Sequence, residues 1–183
     1  MENINKAIAT ALRSLRKEKG WSLDTASLNT AVSKAMLGQI ERGESSPTIA
    51  TLWKIATGFN VSLSYFVSHD NKQSTQHAAH PKQIKLQDDK ILIMPLFPYD
   101  QRLGFEVFIV ELLPNYEHIS EAHQFGLIEH IIVSKGSIDV LANDVWSTLK
   151  ENEGLSLNAD QPHGYRNITD QKAVFYNLIH YKI

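Results

Sequence analysis

Apolar residues recur at two different spacings along this chain of 183 residues. Up to residue 67 they lie three and four positions apart, as on the buried face of a helix. Residues that commonly begin or end helices divide this part into five segments. We therefore expect five short helices there, with boundaries marked by Gly20, Ser22, Ser33, Gly43, Pro47 and Ser62.

Beyond residue 83 the spacing of apolar residues changes to two, which is typical of strands with one buried face. The apolar stretches are rich in β-branched and aromatic residues: ILIMPLF, GFEVFIVELL, IEHIIV, SIDVLA and AVFYNLIHYKI. Turn sequences such as PN, KGS, AND and ENEG separate them. Many short strands joined by turns predict an all-β sandwich or barrel.

The two patterns are separated by SHDNKQSTQHAAH at 68–80, which contains no large apolar residue and is followed by Pro81. Such a polar segment predicts a linker. We expect a multidomain α+β protein with an all-α domain at 1–67, a linker at 68–83 and an all-β domain at 84–183.

Composition indicates the cellular compartment in which we expect the protein. It has no cysteine, which excludes disulfides and thiolate metal ligands and fits a reducing cytoplasm. No apolar run approaches the roughly 20 residues of a membrane span. The amphipathic, charged N-terminal segment does not have the pattern of a secretory signal. We therefore expect a cytoplasmic protein with no membrane partner.

Charge is divided between the two parts of the chain. Residues 1–67 hold eight Lys/Arg against five Asp/Glu, whereas 81–183 hold nine against fourteen, so the net charges are +3 and -5. A positive first domain favours a polyanionic partner, although a small surplus of cations is also compatible with a solvated face.

Two short helices joined by a tight turn are typical of the helix-turn-helix motif, although a plain helical bundle would show the same pattern. The stretch VSKAMLGQIERGESSPTIATLWKIATGFNVSLSYF, which begins at Val32, resembles the XRE (Cro/C1-type) helix-turn-helix family, and the resemblance extends over residues 4–66. It implies a five-helix, lambda-repressor-like domain that binds a double-stranded DNA operator. Ala31 departs from the family, which usually has a glycine at this turn position.

The resemblance also implies which residues meet DNA. Lys34, Ala35 and Gln39 occupy the base-reading positions; lysine can donate to guanine, and glutamine can form two hydrogen bonds with adenine. The start of the third helix can bind a phosphate through a hydroxyl and backbone amides. The residues expected at the DNA backbone, there and around the next helix start, are Ser33, Arg42, Ser46 and Thr48.

The stretch HQFGLIEH at 123–130 raises the question of a metal site in the β half. Together with QPHGYRN downstream, it resembles the two motifs of the cupin superfamily, at His123, Phe125, Glu129, Gly136, Pro162, His163 and Asn167. Phe125 stands where the first motif has its second histidine. The resemblance covers residues 84–183 and implies a jelly-roll barrel.

Alternate residues of a strand point to the same side, and the inward residues of a small barrel meet in its interior. We expect His123, Glu129 and His163 to hold one divalent metal ion with coordination positions left open. Imidazole and carboxylate ligands suit zinc, iron, copper or nickel, and zinc is our first choice. A metal-free pocket and a filled core are the alternatives.

An open metal site suits a small chelating effector such as an amino acid, with an apolar tail that would pack on Phe125 and Tyr165. His180 is a further candidate contact, because its strand is apolar on both faces and the spacing does not show which way it points. His118 and His130 are expected at the surface.

Joined, the two halves resemble the XRE–cupin regulators, which implies a bacterial transcription factor, rather than an enzyme, acting in sulfur or amino-acid metabolism. We expect a homodimer, because one helix-turn-helix module covers only one half-site of an operator. Barrel strands with an open edge would form the contact. Two alternatives stay open: a metal-dependent cupin dioxygenase or isomerase with a DNA-binding appendage, and a DNA-binding protein whose barrel only dimerises.

Overall fold

The computed structural model describes residues 4–67 and 90–182. These residues form a helical unit and a unit built from strands. The predicted linker at 68–83 and the predicted start of the second domain at residue 84 lie outside the described residues.

Residues 4–67 form five helices, as the spacing of apolar residues predicts: α1 Ile4–Glu18, α2 Leu23–Thr30, α3 Lys34–Glu41, α4 Ile49–Phe59 and α5 Ser64–Val67. Their apolar faces enclose one core, with Leu12, Leu37, Leu52 and Ile55 almost fully buried. Within the described residues no helix has the length and apolar character needed to cross a membrane.

Side-chain caps begin three of these helices. Ser22, Ser33 and Thr48 each accept a hydrogen bond from the backbone N–H three residues ahead, at 3.0, 3.2 and 3.1 Å. Such a cap satisfies a donor that the first helical turn leaves unpaired. Between α2 and α3 the chain turns through Ala31, whose φ of 54° lies in the left-handed region. Because glycine adopts this conformation at lower cost, the alanine adds local strain to the turn.

Residues 90–182 contain nine strands: β1 Ile91–Asp100, β2 Phe105–Leu112, β3 Tyr116–Ser120, β4 Ile128–Lys135, β5 Ser137–Ala142, β6 Val145–Lys150, β7 Gly154–Asn158, β8 His163–Asn167 and β9 Ala173–His180. They form a five-stranded sheet in the order β1-β2-β9-β4-β7 and a four-stranded sheet in the order β3-β8-β5-β6. All the strand pairs are antiparallel. This all-β arrangement of two sheets agrees with the predicted barrel.

Because side chains alternate between the two faces of a strand, one face of each sheet lines the interior of this unit. In β4 the buried residues are Glu129, Ile131 and Val133, as the spacing predicts. In β8, His163 and Tyr165 are both almost fully buried. β4 and β8 therefore bring polar side chains into a mainly apolar interior.

The expectation that His123 and Phe125 lie two apart on one strand, with their side chains on the same side, is wrong. β4 begins at Ile128, and residues 123–127 form a loop and a turn in which Gly126 has a φ of 78°. Strand alternation therefore does not apply to His123 and Phe125. The side chain of Phe125 is 76% exposed and lies under the ammonium of Lys182, 4.9 Å from its ring centre, so the expectation that an effector tail packs on Phe125 in the interior is wrong.

The structure shows which way two other histidines point. His180 is exposed, because β9 turns Asn177 and Ile179 inward and His180 outward. His118, predicted at the surface, is buried on the inward side of β3, where its Nε2 lies 3.2 Å from the hydroxyl of Ser120. His130 is exposed, as predicted.

Candidate functional site

The centre of the candidate site is the carboxylate of Glu129, which is 1% exposed. His163, on β8 of the other sheet, reaches it from across the interior. His123 reaches it from the loop before β4, which is fixed by backbone hydrogen bonds from His123 to Ala159 at 2.8 Å and from Ala159 to Leu127 at 2.9 Å. His123 is therefore held in position by hydrogen bonds between two loops and does not lie on a strand.

The three side chains converge on a single point. Nε2 of His123 and Nε2 of His163 each lie 3.6 Å from Oε1 of Glu129. One ligand atom from each of the three residues lies within 4.8 Å of the other two. The rings of the two histidines pack edge to face, with centres 4.8 Å apart. Two nitrogens and one oxygen are therefore arranged around a common position.

The second oxygen of the Glu129 carboxylate is held by two donors. Tyr165 donates its hydroxyl hydrogen to Oε2, and Nδ2 of Asn177 donates to the same atom at 2.8 Å. These bonds fix the rotation of the carboxylate and direct Oε1 towards the histidines. Support of this kind orients metal ligands in proteins and adds to their affinity for the ion.

A backbone carbonyl sets the tautomer of His163. Its Nδ1 lies 2.9 Å from the oxygen of Gln161, and a carbonyl oxygen can only accept, so Nδ1 carries a proton. In the neutral ring the lone pair is then on Nε2, the atom that faces Glu129. This is the form of histidine that binds a metal.

Burial and mutual charge shift the pKa values of these groups. Burial lowers the pKa of His123 to about 4, despite the neighbouring carboxylate, so its ring is neutral at pH 7. Burial alone would raise the pKa of Glu129, but the neighbouring histidines and the hydrogen bond from Tyr165 lower it to about 2. For His163, burial lowers the pKa, yet the adjacent carboxylate of Glu129 raises it overall.

These residues fit a divalent metal ion. Three ligands at about 2.1 Å in a tetrahedron would be roughly 3.4 Å from one another, close to the two distances of 3.6 Å observed here. The carboxylate is ionised, and both histidines present Nε2 to the same position. The His–Glu–His group can therefore bind a metal.

Of the predicted effector contacts, the structure brings only Tyr165 to this group. Phe125 and His180 are exposed and face away from it. Two other residues lie near it: Asn177 donates a hydrogen bond to Glu129, and His118, which was predicted at the surface, lowers the pKa of His123 through its charge. Asn177 lies in FYNLIHYKI, where no motif or spacing singled it out.

The second candidate surface is the exposed side of α3. Lys34, Ala35 and Gln39 are all exposed there, while Leu37 and Ile40 on the other side are buried in the core. Nζ of Lys34 lies 2.8 Å from a carboxylate oxygen of Asp24, in a pair whose side chains are 58% and 71% exposed. Such exposed pairs are weak, so Lys34 can exchange this partner for another anion.

The flanking residues are already engaged within the helical unit. The guanidinium of Arg42 forms two hydrogen bonds with Glu44, at 2.8 and 2.7 Å. The hydroxyl of Ser46 donates to Oδ1 of Asn5 at 2.9 Å, and Thr48 caps α4. The hydroxyl of Ser33 caps α3 as an acceptor, which leaves its own hydrogen available to a phosphate.

Comparison with known proteins shows relatives of the whole chain and of each of its two domains. Residues 12–66 match the model of the helix-turn-helix family HTH_3. The chain is 45% identical to the HTH-type transcriptional regulator SutR of Escherichia coli (strain K12) over 181 residues, which is 99% of this chain and 98% of the relative.

Two crystal structures are also similar. An HTH_3 family transcriptional regulator from Vibrio cholerae is 43% identical, with 98% of each chain covered and a TM-score of 0.85. The cupin domain of an XRE family transcriptional regulator from Enterobacter cloacae is 35% identical, with 52% of this chain and all of that one covered and a TM-score of 0.51. This chain therefore belongs to the XRE family of helix-turn-helix transcriptional regulators with a C-terminal cupin domain.

Proposed function

We propose that this DNA-binding regulator holds a divalent ion, zinc, through His123, Glu129 and His163, and senses a small molecule at that ion. The observation that carries the proposal is the meeting of three buried ligands around one position, with Oε1 of Glu129 3.6 Å from the Nε2 atoms of both histidines. Imidazole and carboxylate ligands match the preferences of zinc.

The proposed ion serves to anchor an effector. Three protein ligands leave zinc with an open position, which an amine or carboxylate of a small molecule can take. An amino acid offers both groups. The aromatic rings of Tyr165 and Phe175, with centres 5.2 Å apart, provide apolar surface on the interior side of β8 and β9.

In the DNA-binding domain, we assign base reading to Lys34, Ala35 and Gln39. We assign contacts with the DNA backbone to residues at or near the starts of α3 and α4: Ser33, Arg42, Ser46 and Thr48. The domains that carry these functions are residues 1–67 and 84–183, joined by a linker at 68–83. Effector binding changes operator affinity if the effector prefers one arrangement of the protein over another.

The regulator is proposed to act as a homodimer. A single recognition helix reads one half-site, and paired modules match half-sites about one helical turn of DNA apart. Sedimentation of the full chain at micromolar concentration should give the mass of a dimer. A monomer that stays monomeric when operator DNA is added would contradict this part of the proposal.

The metal-sensing proposal is tested by measuring zinc content and operator affinity on the same protein preparations. Wild type, His163→Ala and the control His180→Ala, which alters an exposed histidine, are compared with and without a panel of amino acids that includes L-cysteine and L-methionine. Zinc and the effector response should be retained in wild type and His180→Ala and lost in His163→Ala. A normal response from metal-free wild type would refute the metal, and an unchanged His163→Ala would refute the site.

A further inference from the structure

Asn177 lies beside the proposed metal centre without being one of its ligands. It stands in β9, at the middle of the five-stranded sheet, and its side chain is on the inward face with Phe175 and Ile179. The residue is 7% exposed. Its amide reaches Glu129, so the whole amide group is within the candidate site.

The orientation of this amide is determined by its partner. Nδ2 donates to Oε2 of Glu129 at 2.8 Å, and an ionised carboxylate can only accept hydrogen bonds. Turning the amide over would set its oxygen against that carboxylate oxygen, with no hydrogen between them. Oδ1 is therefore the atom directed away from Oε2, yet it remains in the same buried region.

No donor from the described part of the chain reaches Oδ1 of Asn177. The residues opposite Asn177 in the neighbouring strands are Phe108 in β2 and Ile131 in β4, and neither side chain has a donor. Leaving a buried carbonyl oxygen without a hydrogen bond is costly, so polar groups of this kind generally have a partner. The partner of Oδ1 is expected to come from a bound molecule.

We propose that Oδ1 of Asn177 accepts a hydrogen bond from the amine of the effector and thereby selects amine-bearing molecules. This inference rests on the proposed function, because it places the effector beside the ion. An amine has N–H donors both when it is protonated and when it binds a metal. A carboxylate, a thioether or an alkyl tail offers none to this acceptor.

The probes for the test are pairs of compounds that differ only in the α-amine. L-cysteine is paired with 3-mercaptopropionate, L-methionine with 4-(methylthio)butanoate, and L-leucine with 4-methylpentanoate. Binding of each compound to the zinc-loaded full chain is measured by calorimetry, and the readout is the ratio of the two affinities within a pair. In wild type, at least one amino acid should bind ten-fold or more tightly than its partner.

Two substitutions separate the acceptor from the donor of the same amide. Asn177→Leu has a similar shape and removes both, so the affinity ratio should fall about ten-fold from its wild-type value, and any preference that remains comes from binding of the amine to zinc. Asn177→Asp loses the donor to Glu129 but keeps an acceptor oxygen, so a ratio of ten or more should persist. Should the leucine variant fail to fold, Asn177→Ala makes the same deletion with a smaller side chain, and the same ten-fold fall is expected.

The inference is overturned if no pair shows a ratio of ten or more in wild type, which includes the case in which none of the amino acids binds. It is also overturned if the leucine or alanine variant keeps the wild-type ratio, or if the aspartate variant loses it. Zinc content measured on the same preparations distinguishes this failure from that of the metal site. If the protein binds zinc but shows no preference for amines, only the proposed role of Asn177 is contradicted. If the protein binds no zinc, the proposed function itself is contradicted.

Discussion

Tyr165 donates its hydroxyl hydrogen to Oε2 of Glu129, across the interior from β8 to β4. The phenol is almost fully buried, and burial raises its pKa well above the usual value, with the charge of Glu129 adding to the shift. The group is therefore a permanent donor at physiological pH. Its structural effect is to hold the carboxylate with Oε1 facing the two histidines.

Replacing Tyr165 with phenylalanine should weaken metal binding without removing a ligand. The variant keeps the ring against Phe175 but releases one of the two donors on Oε2. Loss of a partner that orients a ligand typically lowers metal affinity about 10–100-fold. Competition with a chromogenic chelator measures the change, and Tyr176→Phe, on the outward side of β9, is the control. Equal zinc affinity in all three proteins would show that Tyr165 does not orient the site.

The helices were predictable because their signals are local. A serine that caps a helix accepts a hydrogen bond from the backbone N–H three residues ahead, as Ser22 and Ser33 do. The capping residue and the helix start that it stabilises therefore lie within one short segment of sequence. The positions of Glu129 and His163 were predictable for a different reason. They follow from the spacing of the two cupin motifs and from strand alternation, which does apply within β4 and β8.

The remaining parts of the site depend on contacts between distant segments. Phe125 was misplaced because its loop is shaped by bonds to residues 159 and 160, which no spacing rule contains. Asn177 and His180 lie on opposite faces of β9, so only one of them can point into the interior. The sequence of β9 is apolar on both faces and does not show which one. Only pairing with β2 and β4 turns Asn177 inward, so this residue could not be identified before the sheet was known.

Breaking the ion pair between Arg16 and Glu41 should destabilise the helical domain. The guanidinium of Arg16 on α1 bonds to both carboxylate oxygens of Glu41 on α3, and the side chains are only 16% and 8% exposed. Glu41→Gln should cost about 2 kcal/mol, since hydrogen bonds between charged groups are stronger than neutral ones. Urea unfolding followed by circular dichroism measures it.

The matched control for that prediction is Glu44→Gln. It breaks a pair of the same chemistry, with Arg42, on a surface where both side chains are more than half exposed. Exposed pairs contribute little to stability, so this variant should unfold like wild type. A similar loss in both variants would mean that burial does not distinguish the two pairs.

Gly58→Ala should destabilise the protein even though alanine is the better helix former. A Cβ at this position in α4 would lie 2.5 Å from the backbone oxygen of Asn29 and 2.7 Å from Cα of Thr30, at the end of α2. The resulting shift of packed backbone costs about 1–3 kcal/mol. This exceeds the gain of roughly 0.5–1 kcal/mol in helix propensity.

Gly38→Ala provides the comparison, because it also replaces a glycine inside a helix. Its Cβ would lie 3.1 Å from the end of the Arg42 side chain, which can move aside, and 3.8 Å from Cδ1 of Leu23, which is an ordinary van der Waals contact. This variant should be as stable as wild type or more so. The order of the two unfolding midpoints therefore tests the close contact between α2 and α4, and a Gly58→Ala protein as stable as Gly38→Ala would contradict it.

Lys34→Ala should relax the sequence preference of operator binding, as expected for a base-reading residue, and should also reduce the dependence of DNA binding on salt if Nζ contacts a phosphate. Nζ of Lys34 is held by an exposed carboxylate of Asp24 in the free protein, and this weak pair is readily exchanged for a phosphate. Loss of one phosphate contact lowers the slope of log affinity against log salt by about one. Titrations of operator DNA at several salt concentrations measure the slope. An unchanged slope together with weaker operator binding would leave Lys34 on a base alone, and equal losses on operator and random DNA would show that it reads no base.

Gln39→Ala should weaken binding to the operator while leaving binding to random DNA nearly unchanged. Gln39 is exposed on α3, one residue before the buried Ile40, so the substitution removes no core contact. A glutamine that bonds adenine through its amide contributes about 1–3 kcal/mol of discrimination. Lys54→Ala, which removes a side chain from α4 outside the assigned contacts, is the control. Affinities for the operator, for operators with single base changes and for random DNA are compared at one salt concentration. Equal losses on operator and random DNA would show that Gln39 reads no base.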